Sequence, residues 1–165
     1  MRSFKCNFDG ASKGNPDPSS GPFCIRNREG NLIYAEVRRL FDGINLVAEV
    51  VALRLGLEFC VQHNLLPVIL EIDSLSLKNI LDGIWEIPWV IVMEIERINM
   101  LMKDKEVIVE NILREGNQLT DFFTNNILCF AGPGLELDTE FEALDVSPAH
   151  RRLSQSRTMV VSTVL

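Results

Sequence analysis

The sequence predicts an α/β fold, a mixed five-stranded sheet in the order βββαβααβα with flanking helices. Three observations carry this. The first forty residues hold three strand-like segments in succession. The hydrophobic period then lengthens from two to between three and four over Asn45 to His63. A short branched run, Val68 to Ile72 (VILEI), follows that helical stretch. A helix joining the third strand to the fourth makes a crossover, which lets the fourth strand lie parallel to the first.

Each element has its own reason. Phe4, Cys6 and Phe8 alternate with Ser3, Lys5 and Asn7, a half-buried strand ended by Asp9-Gly10. Gly14 to Gly21 (GNPDPSSG) is dense in turn formers and reads as a loop. Phe23 to Ile25 is a second strand, Arg28 to Asn31 a hairpin turn, and Leu32 to Leu40 a third strand, giving an antiparallel meander. Leu46, Val50, Leu53, Leu57 and Val61 form one apolar stripe on a helix of about five turns. After Pro67 and the VILEI strand, Asp73-Ser74 can cap a helix from Leu75 to Leu81 that Gly83 stops. Pro88 separates it from a helix over about Val90 to Met102. Val107 to Leu113 alternates again, Arg114 to Asn117 is a turn, and Gln118 to Phe130 reads as the last helix. The expected domain is 4–130, closed by Gly132-Pro133-Gly134, with 131–165 a weakly structured tail.

Apolar residues make up 47% of the 165, enough for a real core, and no apolar run reaches the ~18 residues that span a bilayer. Cys6, Cys24, Cys60 and Cys129 form no CxxC pair, so zinc and redox motifs are disfavoured. Reduced thiols in an intracellular protein, nuclear or cytoplasmic, are expected, each cysteine serving as a small apolar core residue. The net charge of −7 lacks the basic footprint usual in nucleic-acid binders. Residues 1–130 carry 13 basic and 18 acidic side chains, hence −5. Four of those carboxylates holding metal would leave −1, with two divalent cations adding +4.

Four acidic residues are oddly placed. Asp9 ends the first strand and Asp73 the fourth. Glu49 lies in the first turns of the long helix between Ala48 and Val50, and Asp121 opens the last helix beside Leu119 and Phe122. Parallel neighbouring strands would bring Asp9 and Asp73 together, at the strand ends where open α/β sheets bind ligands. Clustered carboxylates repel, and magnesium, which takes hard oxygen ligands and keeps several waters, relieves that repulsion. Taken singly, Asp73 is also an ordinary cap residue, and Asp121 an acid favoured by a helix dipole.

Four segments carry a family resemblance: FDGASKGNPDP (Phe8–Pro18), NLVAEVVALRLGLE (Asn45–Glu58), LEIDSLSL (Leu70–Leu77) and LREGNQLTDFFTNN (Leu113–Asn126). In order and spacing they resemble type-1 ribonuclease H, and most of all the plant subgroup associated with non-LTR retroelements. The resemblance implies a ribonuclease-H-like fold and a metal-dependent endonuclease that hydrolyses the RNA strand of RNA/DNA hybrids. It implies Asp9, Glu49, Asp73 and Asp121 as the catalytic, metal-binding carboxylates, with two Mg2+ ions and Mn2+ as a substitute. It implies Gly14, Asn15, Asn45 and Asn117 as substrate-binding residues near the RNA backbone and its 2′-hydroxyls. Asn15 and Asn117 also read as plain turn formers. A monomer with no membrane association is expected, protein partners being unspecified.

The sequence departs from the family pattern in ways that point to an alternative, a catalytically weakened domain that binds nucleic acid or a protein without cleavage. Leu113 to Thr120 holds no histidine, the only two being His63 and His150. No basic, Trp-rich handle lies between Asp73 and Asp121; Trp85 and Trp89 flank Glu86 and are expected to pack internally. The usual GNPGPAG-like loop has become GNPDPSSG, and Thr120 and Thr124 replace alanines. The chain starts at the first strand, which leads one to expect an excised or truncated retroelement copy.

Overall fold

The computed structural model describes residues 3–12, 17–117, 141–142 and 158–162. Its strands are β1 (Phe4–Phe8), β2 (Ala11–Ser12), β3 (Asp17–Arg26), β4 (Leu32–Gly43), β5 (Val68–Ile72), β6 (Val107–Asn111), β7 (Phe141–Glu142) and β8 (Thr158–Ser162). Its helices are α1 (Asn45–Gln62), α2 (Leu75–Leu81) and α3 (Val92–Met102). The sheet runs β6-β5-β1-β3-β4-β8-β7, and the short β2 pairs with β3. The five expected strands are its first five; β1, β3 and β4 are antiparallel, and β5 and β6 add in parallel. The crossover through α1 accounts for that switch.

The expected loop from Gly14 to Gly21 is corrected in its second half, where β3 begins at Asp17. The register against β4 shifts between Asp17 and Ser19, so Pro18 sits at a bulge. A bulge removes the need for the ladder N–H that proline lacks. Turn composition therefore misread a strand. The hairpin at 28–31 is as expected, with Gly30 at φ +87°. Two segments of the C-terminal stretch expected to be weakly structured join the sheet: β8 pairs with β4 across Tyr34–Ser162 to Arg38–Thr158, and β7 pairs with β8. Thr158, Val160 and Val161 are β-branched, which suits a strand. The proposed domain limit at 130 lies outside the described residues.

One sheet face carries the main core. Cys6, Phe8, Phe23, Ile25, Leu70 and Ile72 pack there against Val50, Leu53 and Leu57 of α1 and Ile95 and Ile98 of α3. The helix stripe is as the spacing predicts, with Leu46 and Val61 partly buried at its ends. Gly56 lets α1 settle on the sheet, since a Cβ there would lie 2.7 Å from Cys6 Sγ. On the second face, Cys24, Ala35 and Val37 are buried. Beside them Glu71 accepts from Lys5 Nζ, from Asn7 Nδ2 at 2.8 Å and from Arg26 at 2.9 Å. Cys6, Cys24 and Cys60 are free and buried, and Cys129 lies outside the described residues.

Trp85 and Trp89 do not pack internally. They are 50% and 86% exposed, along a connection that also exposes Ile84 and Ile87. Ile91, one short 3-10 turn further on, takes the buried position instead. Among the described residues no helix is long and apolar enough to cross a membrane.

Candidate active site

The site is built where β1 and β5 end. Their parallel register pairs Phe4 with Val68 and Asn7 with Glu71, an offset of 64. Asp9 and Asp73 directly follow these two neighbouring strands, and the charges of both reach the Glu49 carboxyl. Both side chains are half-buried. The Asp9 N–H donates to Pro22 O at 3.1 Å, which fixes the exit of β1 against β3.

Glu49 comes to this point from α1. Gly10 makes the approach possible: a Cβ there would stand 2.0 Å from Glu49 N and 2.2 Å from the Ala48 carbonyl carbon. No side chain fits, so the DG pair is a requirement of helix–strand contact as well as a turn signal. Glu49 feels the charges of both aspartates. Burial pushes its carboxyl up to about 7; the Ser74 hydroxyl's hydrogen bond opposes this, the charges of Asp73 and Asp9 add to it, and the Arg114 guanidinium lowers it slightly.

Ser74, not Asp73, caps α2: its Oγ accepts from Leu77 N at 3.3 Å. Asp73 is thereby spared for another role. Its Oδ2 accepts from Asn117 Nδ2 at 3.2 Å, and the same amide donates to Phe8 O at 3.0 Å. Asn117 closes the 3-10 turn Arg114–Asn117 and is 1% exposed. Asn45 is the first residue of α1 and is exposed. Gly14, Asn15 and Asp121 lie outside the described residues, as does the expected last helix.

The sequence pattern therefore pointed to three carboxylates that the fold brings to one place. It missed what holds them: Gly10 as a contact, Ser74 beside Glu49, Arg114 near the same group, and Asn111, whose Nδ2 donates to Ile72 O at 2.9 Å. Only the DG pair carried a local signal. The donors suit a hard cation, being carboxylate oxygens on neighbouring backbone ends, with one carboxyl raised chiefly by burial and further by the charges of Asp73 and Asp9. Among the described residues no three metal-binding side chains form a ready cage.

The family model described as reverse transcriptase-like matches residues 7–126. No curated protein matches the chain. Among solved structures, RNase H1 from the halophilic archaeon Halobacterium salinarum is 24% identical, with a TM-score of 0.73 over 78% of this chain and 99% of that one. LC11-RNase H1 in complex with an RNA/DNA hybrid is 22% identical, with a TM-score of 0.69 over 74% of this chain and 94% of the other. The N-terminal RNase H domain of rv2228c from Mycobacterium tuberculosis is 20% identical, with a TM-score of 0.73 over 79% and 96%.

Proposed function

The chain belongs to the reverse transcriptase-like family and has the ribonuclease H fold, and we propose on that basis that it hydrolyses the RNA strand of RNA/DNA hybrids with divalent metal. The observation that carries the reading is the meeting of Asp9 and Asp73 at adjacent parallel strand ends, with Glu49 pressed against them by the Gly10 contact. A fold relative bound to an RNA/DNA hybrid supports the substrate class.

Asp9, Glu49 and Asp73, together with Asp121, would hold the metal, Mg2+ or in its stead Mn2+. Bound there, such ions supply an activated water and stabilise the departing oxygen of a phosphodiester. The protein's part is to present ionised carboxylates at fixed spacing. Without metal, burial holds the Glu49 carboxyl near 7, so a bound cation would displace its proton. Asn45, exposed at the start of α1, would bind the RNA strand, as would Gly14 and Asn15. The chain's acidity predicts a weak electrostatic grip and strong dependence on the cation.

The test is cleavage of a labelled RNA/DNA hybrid with magnesium or with EDTA. Asp73→Asn keeps the size of the side chain and removes its charge, so the rate should fall by at least a hundredfold while hybrid binding is kept, on the order of 3 kcal/mol in the barrier. Glu106→Gln, at the opposite end of the sheet, should change little. Wild-type protein that binds hybrid but never cuts above the Asp73→Asn background would replace this reading with the non-catalytic alternative.

A further inference from the structure

We propose that Asn117 is a positioning residue that sets the two strand-end aspartates relative to each other, and not a contact to the RNA sugar. The inference rests on the metal-bound carboxylate reading above.

Asn117 is 1% exposed, so a 2′-hydroxyl approaching through solvent does not meet its amide. What the amide meets is the protein. Nδ2 donates to Asp73 Oδ2 and to the carbonyl of Phe8, the residue before Asp9. One donor group thus touches the carboxylate of one aspartate and the peptide from which the other hangs. That peptide is planar, and its far side is held too, since Asp9 N donates to Pro22 O. Asp9 therefore leaves a peptide pinned on both edges.

The matching peptide before Asp73 is pinned from the same stretch of chain. Ile72 O accepts from Ile112 N at 2.7 Å and from Asn111 Nδ2 at 2.9 Å. Residues 111–117 thus hold both aspartate-bearing strand ends. Of these residues, Asn117 reaches across the two and touches a carboxylate. A neutral amide gives Asp73 a partner without cancelling the charge a cation needs. A lysine in that place would cancel it, and an alanine would leave the Phe8 carbonyl and Asp73 short of this donor.

The experiment compares the full chain with Asn117→Ala, Asn117→Ser and Asn111→Ala. Mg2+ affinity is measured by calorimetry, hybrid affinity in EDTA, and kcat and KM for hybrid cleavage. Asn117→Ala should weaken Mg2+ binding about tenfold or more, as losses behind a metal ligand do. kcat should drop with it, while KM and metal-free hybrid affinity stay within twofold. Asn117→Ser restores a donor and should recover part of both losses; it also serves if the alanine variant does not fold. Asn111→Ala should keep Mg2+ affinity, because Ile112 N still holds the Ile72 carbonyl, even if its melting temperature falls. Unchanged Mg2+ affinity in both Asn117 variants, with a raised KM or lost preference for hybrid over duplex DNA, overturns the positioning role in favour of a substrate contact. A wild type that binds no Mg2+ overturns the metal reading itself, and this inference with it.

Discussion

Glu49 and Glu71 are two carboxylates that burial pushes in the same direction and neighbours then separate. For Glu71 the burial effect is outweighed by Lys5, Asn7 and Arg26, and its carboxyl is held below the usual range. For Glu49 nothing outweighs it, and the carboxyl rises from 4.5 to about 7. The consequences for stability have opposite signs. With Glu71 the folded state binds fewer protons than the unfolded one, so its contribution is present above the ordinary carboxylate range and is lost on acidification. With Glu49 the folded state keeps a proton the unfolded state has shed, so stability falls as pH rises from 4.5 to about 7. Magnesium-free protein should therefore be most stable in mild acid. Glu49→Gln should gain on wild type between pH 5 and pH 8 by up to about 3 kcal/mol, and should leave the acid limb unchanged. Denaturant unfolding at the two pH values checks this; an equal difference at both would contradict it. At this scale the sequence was half legible. Asp9 and Asp73 stand out because each follows an alternating or branched run. The hold of Asn117 could not be read, because its partner Phe8 is 109 positions away and REGN is also an ordinary turn sequence.

At the level of elements, period and punctuation located α1, β5, α2, α3 and β6 to within a few residues, since each has one apolar face and a definite stop. They failed at Asp17–Gly21, where a bulge lets proline-rich chain run as strand, and at Trp85 and Trp89, where hydrophobicity alone suggested burial. They also gave no sign that β8 would lie beside β4, a pairing between segments more than a hundred residues apart. Just past β1 the chain meets α1 backbone to backbone at Gly10. Gly10→Ala cannot be absorbed by a side-chain rotation. It should destabilise by at least the 1–3 kcal/mol typical of overpacking and move Asp9 away from Glu49, so Mg2+ affinity should fall as well. A variant with wild-type unfolding midpoint and wild-type metal binding would refute that account of the junction.

Across the molecule, the sheet divides labour between its faces. One face carries the aliphatic and aromatic core under α1 and α3, and the other carries Cys24, Ala35 and Val37 beside the Glu71 network. The carboxylate site lies at the strand ends, outside both, so a change there acts on chemistry more than on the core. The exposed tryptophans have a practical consequence. Trp85 and Trp89 are the chain's only two, and both sit on the α2–α3 connection. Intrinsic emission at long excitation wavelength therefore comes from one outer strip of the protein. In the native state it should already be red-shifted and open to iodide quenching. Unfolding in denaturant should barely move it while the far-ultraviolet circular dichroism collapses; a large red shift coincident with that collapse would show the indoles to be enclosed. The protein thus contains an optical probe blind to its own core, and sensitive to whatever comes to rest on that strip.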